Sequence, residues 1–129
     1  MANSKTKILL VEDDAFLAGM YVTKMNLEDF EVVLAGDGEA GLEQAQSIKP
    51  DIILLDVILP KMSGFDVLKN LKSDPKTKNI PVLMLTNLGQ QEDVQKGLAI
   101  GAVDYLIKAH FMPAEVVEKV KSIISKTKK

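Results

Sequence analysis

Ile8-Leu9-Leu10-Val11 runs into Glu12-Asp13-Asp14, and Ile52-Ile53-Leu54-Leu55 runs into Asp56. A strand buried on both faces needs apolar residues along its length, so carboxylates just past its end belong at the rim of a sheet. If the two strands are neighbours, Glu12, Asp13 and Asp56 converge at one edge. Crowded carboxylates repel and raise one another's pKa unless a cation joins them. Oxygen ligands that leave room for water suit Mg²⁺. The expectation is a small metal site with an aspartate beside it, a setting for phosphate chemistry.

Two further runs extend the pattern. Val82-Leu83-Met84-Leu85 ends in Thr86, and Tyr105-Leu106-Ile107 ends in Lys108. A hydroxyl and an ammonium at the same edge would donate to phosphoryl oxygens. Each group alone has a plainer reading. Glu12 to Asp14 could be turn formers or helix caps, Asp56 a turn residue, Thr86 a capping hydroxyl and Lys108 a solvated charge. The order of acid cluster, Asp, Thr and Lys, each closing an apolar run, favours the functional reading.

The chain has 129 residues, enough for one domain with one core, and its 47% hydrophobic content is ordinary. A net charge of -2 supplies no basic surface for nucleic acid. Every basic side chain apart from the single His is Lys, so no guanidinium fork is present. The absence of Cys excludes disulfides and thiolate metal sites. Met1 to Lys7 lacks an apolar signal core and no stretch is long enough to span a bilayer, so a cytoplasmic protein is expected. The end Ser125-Lys-Thr-Lys-Lys129 reads as a short basic tail on a domain core of about residues 6–125.

Apolar runs alternate with helix-length segments, which predicts a parallel sheet covered on both faces. Strands are expected at about Lys7 to Val11, Glu31 to Ala35 (an edge), Ile52 to Leu55, Val82 to Leu85 and Tyr105 to Ile107. The first helix runs from about Ala15 to Leu27 with Asp14 as its cap. Asp29 follows in a turn that tolerates left-handed backbone. Asp37-Gly38 opens the second helix, which ends near Ile48. Ser63-Gly-Phe-Asp66 opens the third as a capping-box variant, with Leu68 and Leu71 inward. Asp74-Pro75 starts a polar loop through Asn79. The fourth helix spans about Gln91 to Ile100, with Val94 and Leu98 inward and Gly101 at its C-cap. The fifth starts near Pro113 with an apolar stripe of Val116, Val117, Val120, Ile123 and Ile124. The six Met residues read as core filling. In such doubly wound sheets ligands bind beyond the carboxyl ends of the strands, where all four motifs lie.

Over nearly its whole length the chain resembles the receiver domain of two-component response regulators. Val11-Glu-Asp-Asp14 is similar to the family's first acidic motif, and Asp56-Val-Ile-Leu-Pro60-Lys-Met-Ser-Gly64 to its phosphoacceptor motif. Leu85-Thr86-Asn-Leu-Gly89 and Gly101-Ala102-Val-Asp-Tyr105-Leu-Ile-Lys108 are similar to its last two motifs. The resemblance implies a flavodoxin-like doubly wound (βα)5 three-layer sandwich with strand order 2-1-3-4-5. It implies that Asp56 takes a phosphoryl group from a phosphohistidine on a sensor histidine kinase or histidine phosphotransfer protein. Mg²⁺ would be held by Asp13, Asp56 and the backbone carbonyl of Ile58, with Glu12 acting through water. Lys108 would pair with the phosphoryl oxygens and Thr86 would donate its hydroxyl. Drawing Thr86 inward would let Tyr105 rotate from exposed to buried and remodel a protein-binding face. The implied protein is a stand-alone receiver, a signalling module rather than a metabolic enzyme. It would have an unknown protein target and no direct contact with nucleic acid or membrane. It would be a monomer or a weak phosphorylation-dependent dimer.

Two departures stand out. The family has Lys-Pro-aromatic with a cis peptide after the fifth strand. Here Lys108-Ala109-His110-Phe111 has no Pro and one more residue, and a cis bond before Ala would cost about 3 kcal/mol. A trans Lys108–Ala109 bond is therefore expected, with Lys108 still aimed at Asp56 and His110 a solvated loop residue. Ile58 and Asn87 stand where family members control access of water, and both should hinder it, giving a long-lived phosphoryl group. Three other readings carry less weight. Hydrolases of haloacid dehalogenase type place an Asp-x-Asp nucleophile at the first strand. A scaffold that had lost phosphorylation would not need these five polar residues intact. A flavodoxin-like flavin binder lacks a phosphate loop after strand one.

Overall fold

The computed structural model describes residues 5–127. The basic tail ends outside them, at Lys128 and Lys129, as does the start of the chain, Met1 to Ser4. Five parallel strands, β1 (Lys7–Val11), β2 (Glu31–Ala35), β3 (Ile52–Leu55), β4 (Val82–Thr86) and β5 (Asp104–Ile107), form one sheet in the order β2-β1-β3-β4-β5. The helices are α1 (Ala15–Leu27), α2 (Gly38–Ile48), α3 (Gly64–Ser73), α4 (Gln91–Ile100) and α5 (Pro113–Thr127). Among the described residues no helix is long and apolar enough to cross a membrane.

Two cores flank the sheet, because alternate residues of each strand face opposite sides. Ile8, Leu10, Ile52, Leu54, Leu83, Leu85 and Leu106 pack against Ala18, Tyr21 and Met25 of α1 and Val116, Val117 and Val120 of α5. Leu9, Val11, Ile53, Leu55, Val82, Met84 and Tyr105 pack against Ala45 of α2, Val67, Leu68 and Leu71 of α3 and Val94 of α4. The three inner strands are buried on both faces, which is why they read as unbroken apolar runs. β2 lies at an edge, and Glu31 and Leu34 are exposed.

The expected turn chemistry is in place. Asp14 caps α1, its Oδ1 accepting from the N–H groups of Phe16 at 2.9 Å and Leu17 at 3.1 Å. Asp37 caps α2 through Ala40, and Asp29 takes the left-handed conformation at φ 68°. At α3 only half of the capping box forms: Ser63 Oγ accepts from Asp66 N–H at 3.4 Å. The segment from Asp74 to Asn79 is a wound turn, not a plain polar loop. Asp74 takes the N–H groups of Lys76, Thr77 and Lys78, and the buried Thr77 hydroxyl donates to Leu71.

Three expectations need correction. Leu98 is 44% exposed, and Gly97 is the buried residue of α4, so that helix is rotated from the assumed face. Met25 and Met84 are core residues, but Met20 and Met112 are exposed. Tyr105 is already inward, only 7% exposed.

Candidate functional site

Sheet register brings the acids together. Val11 stands opposite Leu55, so the next residues of both strands leave the sheet side by side. Backbone bonds from Asp56 N–H to Val11 and from Glu12 N–H to Ala35 extend the ladders one step beyond the strands. One carboxylate oxygen each from Glu12, Asp13 and Asp56 lies within 4.8 Å of the others. Glu12 and Asp56 are buried and Asp13 faces solvent. Asp14, the cap of α1, is turned to its own helix.

The loop after Asp56 is shaped by close backbone approach. A side chain on Gly64 would strike the Asp56 carbonyl, so this position excludes any larger residue. Lys61 has φ 70°, and the Met62 N–H donates to the Pro60 carbonyl at 2.8 Å, forming a γ-turn. Asp56 Oδ1 accepts from the Ile58 N–H at 3.3 Å, and the Ile58 side chain stands out over the site, 63% exposed.

Lys108 crosses from β5 to the acids. Its Nζ lies 2.7 Å from Asp56 Oδ2 and 2.5 Å from Glu12 Oε1. Glu12 Oε2 meanwhile accepts from the Asp14 N–H at 3.0 Å, which orients that carboxylate. Burial pulls the Lys108 ammonium down, but the hydrogen bonds and charges of Asp56 and Glu12 outweigh it and hold the group above its usual range. The Lys108–Ala109 bond is trans, as expected. Residues Lys108–His110 form a 3-10 turn, closed by the Phe111 N–H on the Lys108 carbonyl, and His110 is exposed. Lys108 follows directly on β5 and keeps its aim at Asp56.

Thr86 ends β4, fully buried, with its Oγ1 accepting from the Leu88 N–H at 3.3 Å. Beside it, the Tyr105 hydroxyl donates to the Leu88 carbonyl at 2.5 Å. Burial, then the charges of Asp93 and Asp56, push that phenol up to about 12. The ring fits because α4 has no side chain at Gly97, where a Cβ would come within 3.0 to 3.1 Å of it. Neither Leu88 nor Gly97 was marked by sequence reasoning. The available signal was a glycine inside a helix, which costs about 1 kcal/mol relative to Ala and so implies a packing reason.

Together Glu12, Asp13, Asp56, Ile58, Thr86, Asn87, Leu88 and Lys108 line a cleft of about 410 Å³ at the carboxyl end of the sheet. Three carboxylates against one ammonium leave the rim with a formal charge of −2. Hard oxygen donors on the wet side of that rim suit a divalent cation that keeps part of its water shell, so these residues fit Mg²⁺. A larger groove of about 660 Å³ lies along α1, lined by Phe16, Met20, Leu27 and Pro113. Phe16 and Leu27 are each 76% exposed, which sequence reading did not foresee.

The model of the response regulator receiver domain matches residues 8–121. The chain is 38% identical over 121 residues to the DNA-binding dual master transcriptional regulator RpaA of Synechocystis, covering 94% of this chain and 50% of RpaA. It thus spans about half the length of the curated relatives it matches. A CheY-like receiver domain protein from Methanospirillum hungatei superposes with a TM-score of 0.90 at 25% identity, over 97% of this chain and 98% of that one. A chain of the CheX-CheY-BeF3-Mg complex from Borrelia burgdorferi superposes with a TM-score of 0.84 at 29% identity, over 91% of this chain and 87% of that one. Because the family match runs through nearly the whole sheet, helices α1 to α4 and the first part of α5, the chain belongs to the response regulator receiver domain family.

Proposed function

We propose that Asp56 accepts a phosphoryl group from a phosphohistidine on a sensor histidine kinase or histidine phosphotransfer protein, in a Mg²⁺-dependent reaction in the cytoplasm. The observation that supports it best is the pairing of Lys108 with Asp56 at 2.7 Å, beside the three-carboxylate rim. In the transfer an Asp56 carboxylate oxygen forms the new bond to phosphorus. The bond from phosphorus to the imidazole nitrogen breaks, and its electron pair returns to the ring. Lys108 shifts from the free carboxylate to the phosphoryl oxygens, and Thr86 turns its hydroxyl to them. Asp13, Asp56 and the Ile58 carbonyl would hold Mg²⁺, with Glu12 acting through water. The ion would supply positive charge against the phosphoryl oxygens. Catalysis is then mostly positioning and neutralisation of charge.

The exposed apolar stripe of α1 supports the partner. Ala15 and Phe16, which line that groove, are the immediate chain neighbours of Asp14 and Leu17, which line the acidic cleft. A helix presenting a phosphohistidine can lie on the stripe and reach Asp56. The added phosphoryl charge then biases Thr86 and Tyr105, and the face of α4, β5 and α5 reads out the change as a protein contact or a weak dimer. Ile58 and Asn87 at the cleft mouth slow the entry of attacking water. The domain is a signalling switch and turns over no metabolite.

A second output reading rests on a separate observation: the relatives that match are named DNA-binding regulators and are about twice this length. In that reading the receiver controls an attached DNA-binding segment. Immunoblotting of the native protein separates the two, since a band well above 129 residues favours the second.

The test of the chemistry is incubation with acetyl phosphate and Mg²⁺, followed by intact mass. The wild type should gain one acid-labile phosphoryl group and Asp56→Asn none. Unchanged labelling of that variant would overturn the assignment.

A further inference from the structure

We propose that Asn87 is a positioning residue for Lys108, acting through the backbone N–H of Ala109. The inference deepens the proposed function, since Lys108 is the cation of that site. The Asn87 Oδ1 accepts from the Ala109 N–H at 3.0 Å. That donor exists only because residue 109 is not proline. It lies in the first turn of the 3-10 segment Lys108–His110, whose flanking Ile107 provides no side-chain cap. The opening N–H groups of any helical turn lack partners within the turn. Here the missing acceptor comes from a loop 22 residues earlier in the chain.

The position of that loop makes the contact more than a local cap. Thr86, Asn87 and Leu88 are consecutive. Thr86 lines the cleft, Asn87 holds the start of the turn after β5, and Leu88 accepts the Tyr105 hydroxyl. The two loops that carry Thr86 and Lys108 are therefore tied directly beyond the sheet edge. A proline at 109 would stiffen the path of the chain after Lys108 without any such contact. In this protein Ala109 leaves the turn free to pivot, and Asn87 restores its direction. Movement of Thr86 is transmitted through its neighbour to the loop that bears Lys108.

The experiment compares the wild type with Asn87→Ala, Asn87→Asp, Ala109→Pro and the double variant Asn87→Ala/Ala109→Pro. Amide exchange at Ala109, read by ¹⁵N NMR, should quicken about fivefold in Asn87→Ala, the worth of one exposed hydrogen bond. It should stay slow in Asn87→Asp, which keeps an acceptor oxygen. The initial rate of labelling by acetyl phosphate should fall about threefold to tenfold. Asn87→Ala and Ala109→Pro remove the same bond, so the double variant should be no slower than the slower single. Equal exchange at Ala109 in wild type and Asn87→Ala, or a labelling rate unchanged in Asn87→Ala, overturns the proposal. So do single-variant effects that multiply. If Ala109→Pro does not fold, the two Asn87 variants still decide. If the wild type is not labelled at all, the phosphoacceptor reading fails, and the exchange arm still judges the tie.

Discussion

Asp13 and Asp14 are adjacent acids with separate tasks, and substitution should divide them. Asp13 contributes an oxygen to the rim, whereas Asp14 holds two N–H groups of α1. Asp13→Asn should weaken Mg²⁺ binding markedly and leave stability nearly unchanged. Asp14→Ala should lower stability by about 1 kcal/mol, the usual worth of an N-cap, with little change in Mg²⁺ affinity. Mg²⁺ titrations and urea melts of the two variants check the division, and Asp14 proving the stronger determinant of Mg²⁺ binding would contradict it. Lys108 is the third decisive residue. Removing one partner of a fully buried ion pair costs about 3–5 kcal/mol, and this pair opens on a wet cleft, so Lys108→Met should cost about 2 kcal/mol. Its ammonium is held above its ordinary range. The contribution is therefore complete below about pH 10.4 and is lost as pH rises through the folded value, so the gap between wild type and variant should close in alkali. Mg²⁺ should narrow the same gap at neutral pH by replacing the lost positive charge. A gap that widened above pH 11 would reverse the sign of this account.

At the scale of elements, α4 and β5 behave as one unit because Gly97 lets the Tyr105 ring pack close against the helix. The hydroxyl then reaches Leu88, in the loop that follows Thr86. A branched side chain at 97 would occupy the ring's place. Gly97→Val should turn Tyr105 outward, and its phenol should fall from about 12 toward the ordinary value near 10. An ultraviolet titration of phenolate reads this directly, with Tyr21 as the one other tyrosine to be resolved. A phenol still titrating near 12 in the variant would mean that the ring does not depend on Gly97. Leu98, one residue along, faces solvent, and Leu98→Ala should matter little by comparison.

For the whole molecule, stability should be concentrated in the inner strands. Leu54 of β3 is fully buried between β1 and β4, and its loss leaves a cavity that neighbours on both sides cannot fill. Leu54→Ala should cost roughly 2–5 kcal/mol. Leu34 of the edge strand β2 is 46% exposed, and Leu34→Ala should cost under about 1 kcal/mol. Urea midpoints at constant slope measure both, and comparable losses would show that the edge is as tightly held as the centre. This gradient places the rim residues after β1 and β3 on the most rigid part of the sheet. The α1 stripe and the loop after the edge strand β5 lie outside it.

The chain alone determined the strands to within a residue, because the three inner strands, buried on both faces, need unbroken apolar runs and the edge strands are short runs bounded by polar residues. It also marked Glu12, Asp13, Asp56, Thr86 and Lys108, because each is a polar group ending such a run. The cap at Asp14, the left-handed turn at Asp29 and the trans bond after Lys108 were legible too, since each follows from the conformations one residue allows. The tertiary structure decided what depends on distant partners. Lys108 meets Glu12 across 96 positions and Asp56 across 52, and Asn87 meets Ala109 across 22. No local pattern encodes such pairings, which are set by the register of parallel strands. The face of α4 was misread for the same reason: Leu98 looks like a core residue by spacing. Only the ring of Tyr105, brought in by a neighbouring strand, makes Gly97 the residue that must lie inside.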